Sequence, residues 1–136
     1  MTLPRALLLD STFLIAYERE RNPRLAQAVV VQAITTGRPL IATALSVTAA
    51  GAHLNGHHPD LSWLLDDPAA PIEVLALAGN ALHIGNQLAQ TASRDLTALE
   101  VAQIVVEAND GPMVVMTYDP KLYAGTSVNV MDMQPR

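Results

Sequence analysis

The chain has 136 residues, half of them apolar, with no cysteine and a formal net charge of −5. That length suits a single domain, 1–136, with one core of respectable size. Without cysteine there is neither a disulfide framework nor a thiolate metal site, and the acidic balance excludes a protein that holds nucleic acid mainly by neutralising phosphates. The opening Met1-Thr2-Leu3-Pro4-Arg5 lacks the layout of a signal peptide, and polar residues interrupt every long apolar stretch. A cytoplasmic protein with no membrane partner is therefore expected.

In chain order, residues 6–10 form an apolar run that ends on Asp10 and read as a buried strand; helical spacing follows over 12–20 and 23–36. Thr35-Thr36-Gly37-Arg38-Pro39 stops the second helix, with glycine at the left-handed position, and leads into a strand at 40–42. Helices are expected at 46–56 and 59–66, then a loop at 66–71 rich in aspartate and proline. A strand at 72–77, helices at 79–91 and 97–109, a turn at 109–112 and strands at 113–117 and 128–131 complete the pattern. Strands that are apolar along most of their length and alternate with helices indicate a sheet covered on both faces. The fold class is therefore α/β, a three-layer α/β/α sandwich with a mostly parallel sheet of four or five strands.

The acids at the strand ends carry the chemistry. In an open parallel sheet, ligands gather beyond the carboxyl ends of the strands, where Asp10 stands, although Asp10 also suits the N-cap of the next helix. Met113-Val114-Val115-Met116-Thr117-Tyr118-Asp119-Pro120 repeats the pattern: an apolar strand ends on a hydroxyl and a carboxylate, and proline then stops the pairing. If the two strands are neighbours, Asp10 and Asp119 can share a cation. Between them the 97–109 helix is apolar over most of its surface, with one polar line of Thr97, Glu100, Gln103 and Glu107. Glu100 either reaches the cation site or closes a capping box with Thr97, and Asp95 just upstream is either a cap or a ligand.

With these residues in view the chain resembles a PIN domain and, within that group, the VapC-type toxins of bacterial toxin–antitoxin pairs. The likeness rests on Leu8-Leu9-Asp10-Ser11-Thr12-Phe13-Leu14-Ile15 and Val114-Val115-Met116-Thr117-Tyr118-Asp119, with Ala81-Leu82-His83-Ile84-Gly85 and the alanine-rich helix ending at Glu107-Ala108 in similar places between them. The resemblance implies a fold whose clustered acids bind Mg²⁺ or Mn²⁺ and cut RNA, a cognate antitoxin as partner, and a homodimer. It puts Asp10 and Asp119 as principal ligands, Glu100 or Asp95 as the third acid, and Thr117 or Ser11 as the group orienting a carboxylate or phosphate. One departure stands out. Where the family places a glutamate on the helix after the second strand, this chain reads Ser46-Val47-Thr48-Ala49-Ala50-Gly51-Ala52. Mg²⁺ holds its waters tightly and is fixed by a few carboxylates plus substrate oxygens, so this loss implies weak metal affinity and reduced or absent hydrolysis. The alternative function is a PIN-like binding or regulatory module without catalysis.

Other polar groups read as ordinary structure. His53 and His57 have a zinc-type spacing but sit where a helix ends, and His83 has no visible partner. Trp63 with Leu61, Leu64 and Leu65 reads as a packing cluster, with a protein interface as the alternative for Trp63, and Glu18-Arg19-Glu20-Arg21 as a solvated face whose arginines could alternatively meet RNA or a partner. Tyr118 and Tyr123 flank the expected cleft, where either could stack on a base.

Overall fold

A computed structural model describes residues 5–66, 71–109 and 112–134. Its strands are β1 Ala6–Leu9, β2 Leu40–Thr43, β3 Ile72–Leu75, β4 Met113–Thr117 and β5 Asn129–Asp132, all paired in parallel in the order β3-β2-β1-β4-β5. The helices are α1 Ser11–Arg19, α2 Leu25–Thr36, α3 Ala44–His53, α4 Pro59–Asp66, α5 Ala81–Ala89 and α6 Leu96–Ala108, with one 3-10 turn at Pro120–Tyr123. Most of the expected loop at 66–71 and part of the turn at 109–112 lie outside the described residues.

Side chains alternate across a strand, so neighbouring residues serve opposite layers. Leu7, Leu9, Leu40, Ala42, Ile72 and Met116 face a cluster completed by Phe13, Leu14 and Tyr17 of α1, Ala26, Val30 and Ala33 of α2, and Leu61 and Leu64 of α4. Leu8, Ile41 and Val115 face the other way, against Ile104 of α6 and Tyr123. The sheet is thus covered on both sides, as an apolar parallel sheet requires. Each fully buried Leu or Phe in these clusters contributes about 1.5–3 kcal/mol relative to exposure. No helix among the described residues is long and apolar enough to cross a membrane.

The connections run outward from β1 to β2 and β3, then cross back to β4 and on to β5. The reversal lies between β1 and β4, where Leu9 pairs with Met116, so the residues that follow them emerge side by side. That is the crevice where sheets of this kind collect ligands.

Two surface expectations are corrected. Trp63 is 62% exposed: Leu61, two residues before it, and Leu64, the residue after it, take the core-facing positions of α4 and turn the indole outward. The acids of 18–21 are not a solvated face. Buried Glu18 accepts the backbone N–H of Leu61 at 2.9 Å, satisfying a free donor in the first turn of α4. Glu20 accepts the Ala26 N–H at 2.7 Å and the Tyr118 hydroxyl at 2.6 Å, tying α1 to α2 and to the end of β4.

Candidate functional site at the carboxyl edge of the sheet

Asp10 leaves β1 and caps α1. Its Oδ1 accepts the Phe13 N–H at 3.0 Å and the Thr12 hydroxyl at 2.6 Å, and its Oδ2 accepts the Tyr123 hydroxyl at 2.7 Å. The residue is completely buried, so helix cap and member of the strand-end cluster are one carboxylate.

Glu100 turns inward from the first turns of α6 instead of bonding back to the chain, which corrects the capping-box alternative. Its Oε2 accepts the Ser11 N–H at 2.6 Å and the Ser46 hydroxyl at 2.7 Å, while Oε1 accepts the Ser11 hydroxyl at 2.7 Å. Burial pushes its carboxyl above the usual glutamate value, and the charge of Asp10 adds to this against the lowering effect of the serine donors. Ser46 itself is held by Thr43, the last residue of β2, whose hydroxyl also caps α3. Helix α3 carries no acid, and its Ser46 hydroxyl serves Glu100 instead. Next along the polar line, buried Gln103 accepts the Leu45 N–H and donates to the Leu75 carbonyl, each at 3.0 Å.

Thr117 ends β4 fully buried. Its hydroxyl accepts the Asp119 N–H at 3.0 Å and lies 3.2 Å from the Thr12 hydroxyl. It thereby sets the backbone that carries Asp119, whose Oδ1 is buried without a hydrogen-bond partner. Asp119 opens the 3-10 turn, and four residues later Tyr123 brings its ring back over the strand ends. The Tyr123 hydroxyl is held strongly protonated, first by burial and then by the charge of Asp10 and its hydrogen bond, with Glu100 and Asp119 adding to the same effect. Of the three acids, Asp10 is the one that bonds this phenol.

Asp95 is apart from this group. It is exposed and caps α6 through the Ala98 N–H at 2.9 Å, a bond that holds its carboxyl below the ordinary aspartate value. The two zinc-spaced histidines do not share a helix face, because α3 ends at His53 and the chain turns through Asn55 and Gly56 at positive φ. Neither tyrosine presents a free polar edge: Tyr118 is bound to Glu20, and Tyr123 is buried on Asp10. Sequence reasoning missed the roles of Ser46 and Tyr123 as donors to the acids. The hydroxyl residues at the ends of β1, β2 and β4 were the signal available in the chain.

A groove of about 560 Å³ overlies the cluster, lined in part by Ser11, Thr12, His53, Thr97, Glu100 and Asp119. Asp10 is not among its lining residues. The donor set as it stands does not fit a divalent cation held by several carboxylates, since each oxygen of Asp10 and Glu100 is engaged by at least one protein donor and the acids are not grouped around a common point. Among the described residues no three acids or histidines are grouped to hold a metal ion.

No family model matches the chain, and no curated protein matches its sequence. In fold it is similar to a chain of the DNA-bound VapBC complex from Salmonella typhimurium, with a TM-score of 0.65 and 14% sequence identity over 94% of this chain and 98% of that one. At that identity the likeness concerns the fold.

Proposed function

We propose that this chain is a PIN-like domain of the VapC type that works as a binding or regulatory module of a toxin–antitoxin pair, with metal-dependent hydrolysis weak or absent. The observation that carries the proposal is the closed hydrogen bonding of Asp10 and Glu100, whose oxygens are filled by the backbone and by serine, threonine and tyrosine hydroxyls. A carboxylate bonded in this way fixes neighbouring elements to one another. A cation at these oxygens would have to share or displace those donors. The fold likeness to a chain of a VapBC complex supports an antitoxin-type protein as partner. RNA and a second copy of the chain are the further partners of this reading.

A second reading, a Mg²⁺- or Mn²⁺-dependent endoribonuclease, is favoured by Glu100 and Asp119 lining one groove at the end of the sheet where Asp10 also stands, and by the unpartnered Oδ1 of Asp119. An RNA-cleavage assay in Mg²⁺ and in Mn²⁺ separates the two. Equal traces from the native chain and Asp10→Asn are the expected outcome. Cleavage by the native chain that Asp10→Asn abolishes overturns the proposal.

A further inference from the structure

The sheet face that carries α2 is covered unevenly. Leu7, Met116 and Ala33 of α2 are buried there, whereas Val29 and Val114 are half-buried and Met131, on the edge strand β5, is exposed. Between α2 and the β4-β5 side of the sheet these residues line a cavity of about 460 Å³, together with Met133, Gln32, Thr36 and Arg38. Small-molecule sites occupy about 300–1,000 Å³, and methionine walls adapt to the shape they meet. The cavity shares no lining residue with the groove over the acids. Its one charge sits at one end. Helix α2 stops at Thr36, Gly37 turns through the left-handed conformation, and Arg38 comes to stand beside the start of β1, its Nε donating to the Arg5 carbonyl at 2.6 Å. Leu7 pairs with Val114 and Met116 with Met131, so the methionines lie further along the strands, toward the carboxyl edge. Arg38 is half-buried and forms no ion pair with any described residue, and no acid lines the cavity. A guanidinium tethered through Nε keeps its terminal nitrogens as a fork, the shape that grips a carboxylate through two hydrogen bonds.

We propose that this cavity binds a linear alkyl carboxylate of the fatty-acid class, with the carboxylate on Arg38 and the chain running past Val114 and Met116 toward Met131 and Met133. The site goes beyond the function proposed above and does not depend on it. A peptide suits these walls less well. It carries an amide at every residue, whereas the polar side chains of the cavity are Gln32, Thr36 and Arg38, and the Thr36 hydroxyl already donates to the Gln32 carbonyl at 2.9 Å. Along the methionine side a buried amide finds no side-chain partner, while an alkyl chain needs none.

Titration of the native chain, isotope-labelled at its methionine methyls, with decanoate below its micellar concentration tests the site by NMR. Saturable shifts of Met116, Met131 and Met133 are expected, with Met113, which packs on the opposite face of the sheet, unmoved. Decanol and decylamine keep the chain but lose the anion, and each is expected to bind about tenfold more weakly or worse; Arg38→Gln weakens decanoate by a similar factor. Equal affinity for decanoate and decanol overturns the proposal, as does a titration that leaves the cavity methionines unmoved. Should Arg38→Gln fail to fold, the comparison of the ligands on the native chain decides alone. Methionine shifts that follow protein concentration and ignore decanoate assign the cavity to a second copy of the chain and overturn the proposal as well.

Discussion

Glu100 sits 1% exposed, between serine donors that favour its ionised form and a burial that opposes it, and burial is the larger effect. Its carboxyl therefore titrates above the ordinary value of 4.5 in the folded protein. In the interval between those two values the folded chain holds a proton that the unfolded chain has released, so the stabilisation is complete below about 4.5 and is lost as pH rises through the folded value. Glu100→Gln has no such proton. The denaturation midpoint of the native chain relative to that of Glu100→Gln is expected to fall as pH rises from 4.5 toward neutral, and a difference independent of pH contradicts this assignment. Asp10 was legible from the sequence in both its guises, because an acid between an apolar strand and a helix is at once a cap and a strand-end group. The state of its oxygens was not legible. That depends on Tyr123, 113 positions away, just as Glu100 depends on Ser11 across 89 positions.

At the level of elements, hydrophobic spacing located the strands and α-helices of the described residues but not the 3-10 turn at Pro120–Tyr123, and the other differences lie at the ends. The helix expected at 46–56 is Ala44–His53, because the Thr43 side chain caps it early and Asn55 and Gly56 unwind it early. The strand expected at 6–10 stops at Leu9, since Asp10 turns to cap α1. Helix α6 begins one residue before the expected Thr97 because Asp95, not Thr97, supplies the cap. The inward polar line of α6 was visible in its spacing, whereas its partners were not: Gln103 bridges the start of α3 to the end of β3. Replacing it with leucine, Gln103→Leu, keeps the volume and strands the Leu45 N–H and Leu75 carbonyl, at a cost of about 1–3 kcal/mol for each group left without a partner. The urea midpoint is expected to fall accordingly with an unchanged slope; a midpoint equal to that of the native chain contradicts the bridge.

For the whole molecule, the α/β/α layering followed from strands that are apolar on both faces. The order β3-β2-β1-β4-β5 did not, and it is this order that makes β1 and β4 neighbours and puts Asp10 beside Thr117. Once they are adjacent, the chemistry turns on what fills the carboxylates: hydroxyls and amides of the same chain, or a cation. Tyr123 in the core, Ser46 on α3 and Ser11 after β1 supply donors to those carboxylates from the chain itself. The most direct measurement is a crystal structure of the native protein soaked in Mn²⁺, with data collected at the manganese absorption edge. The expected result is no anomalous peak among Asp10, Glu100 and Asp119 and an intact hydrogen bond from Tyr123 to Asp10. A peak within metal–oxygen bonding distance of Asp10, with the tyrosine hydroxyl displaced, would contradict it.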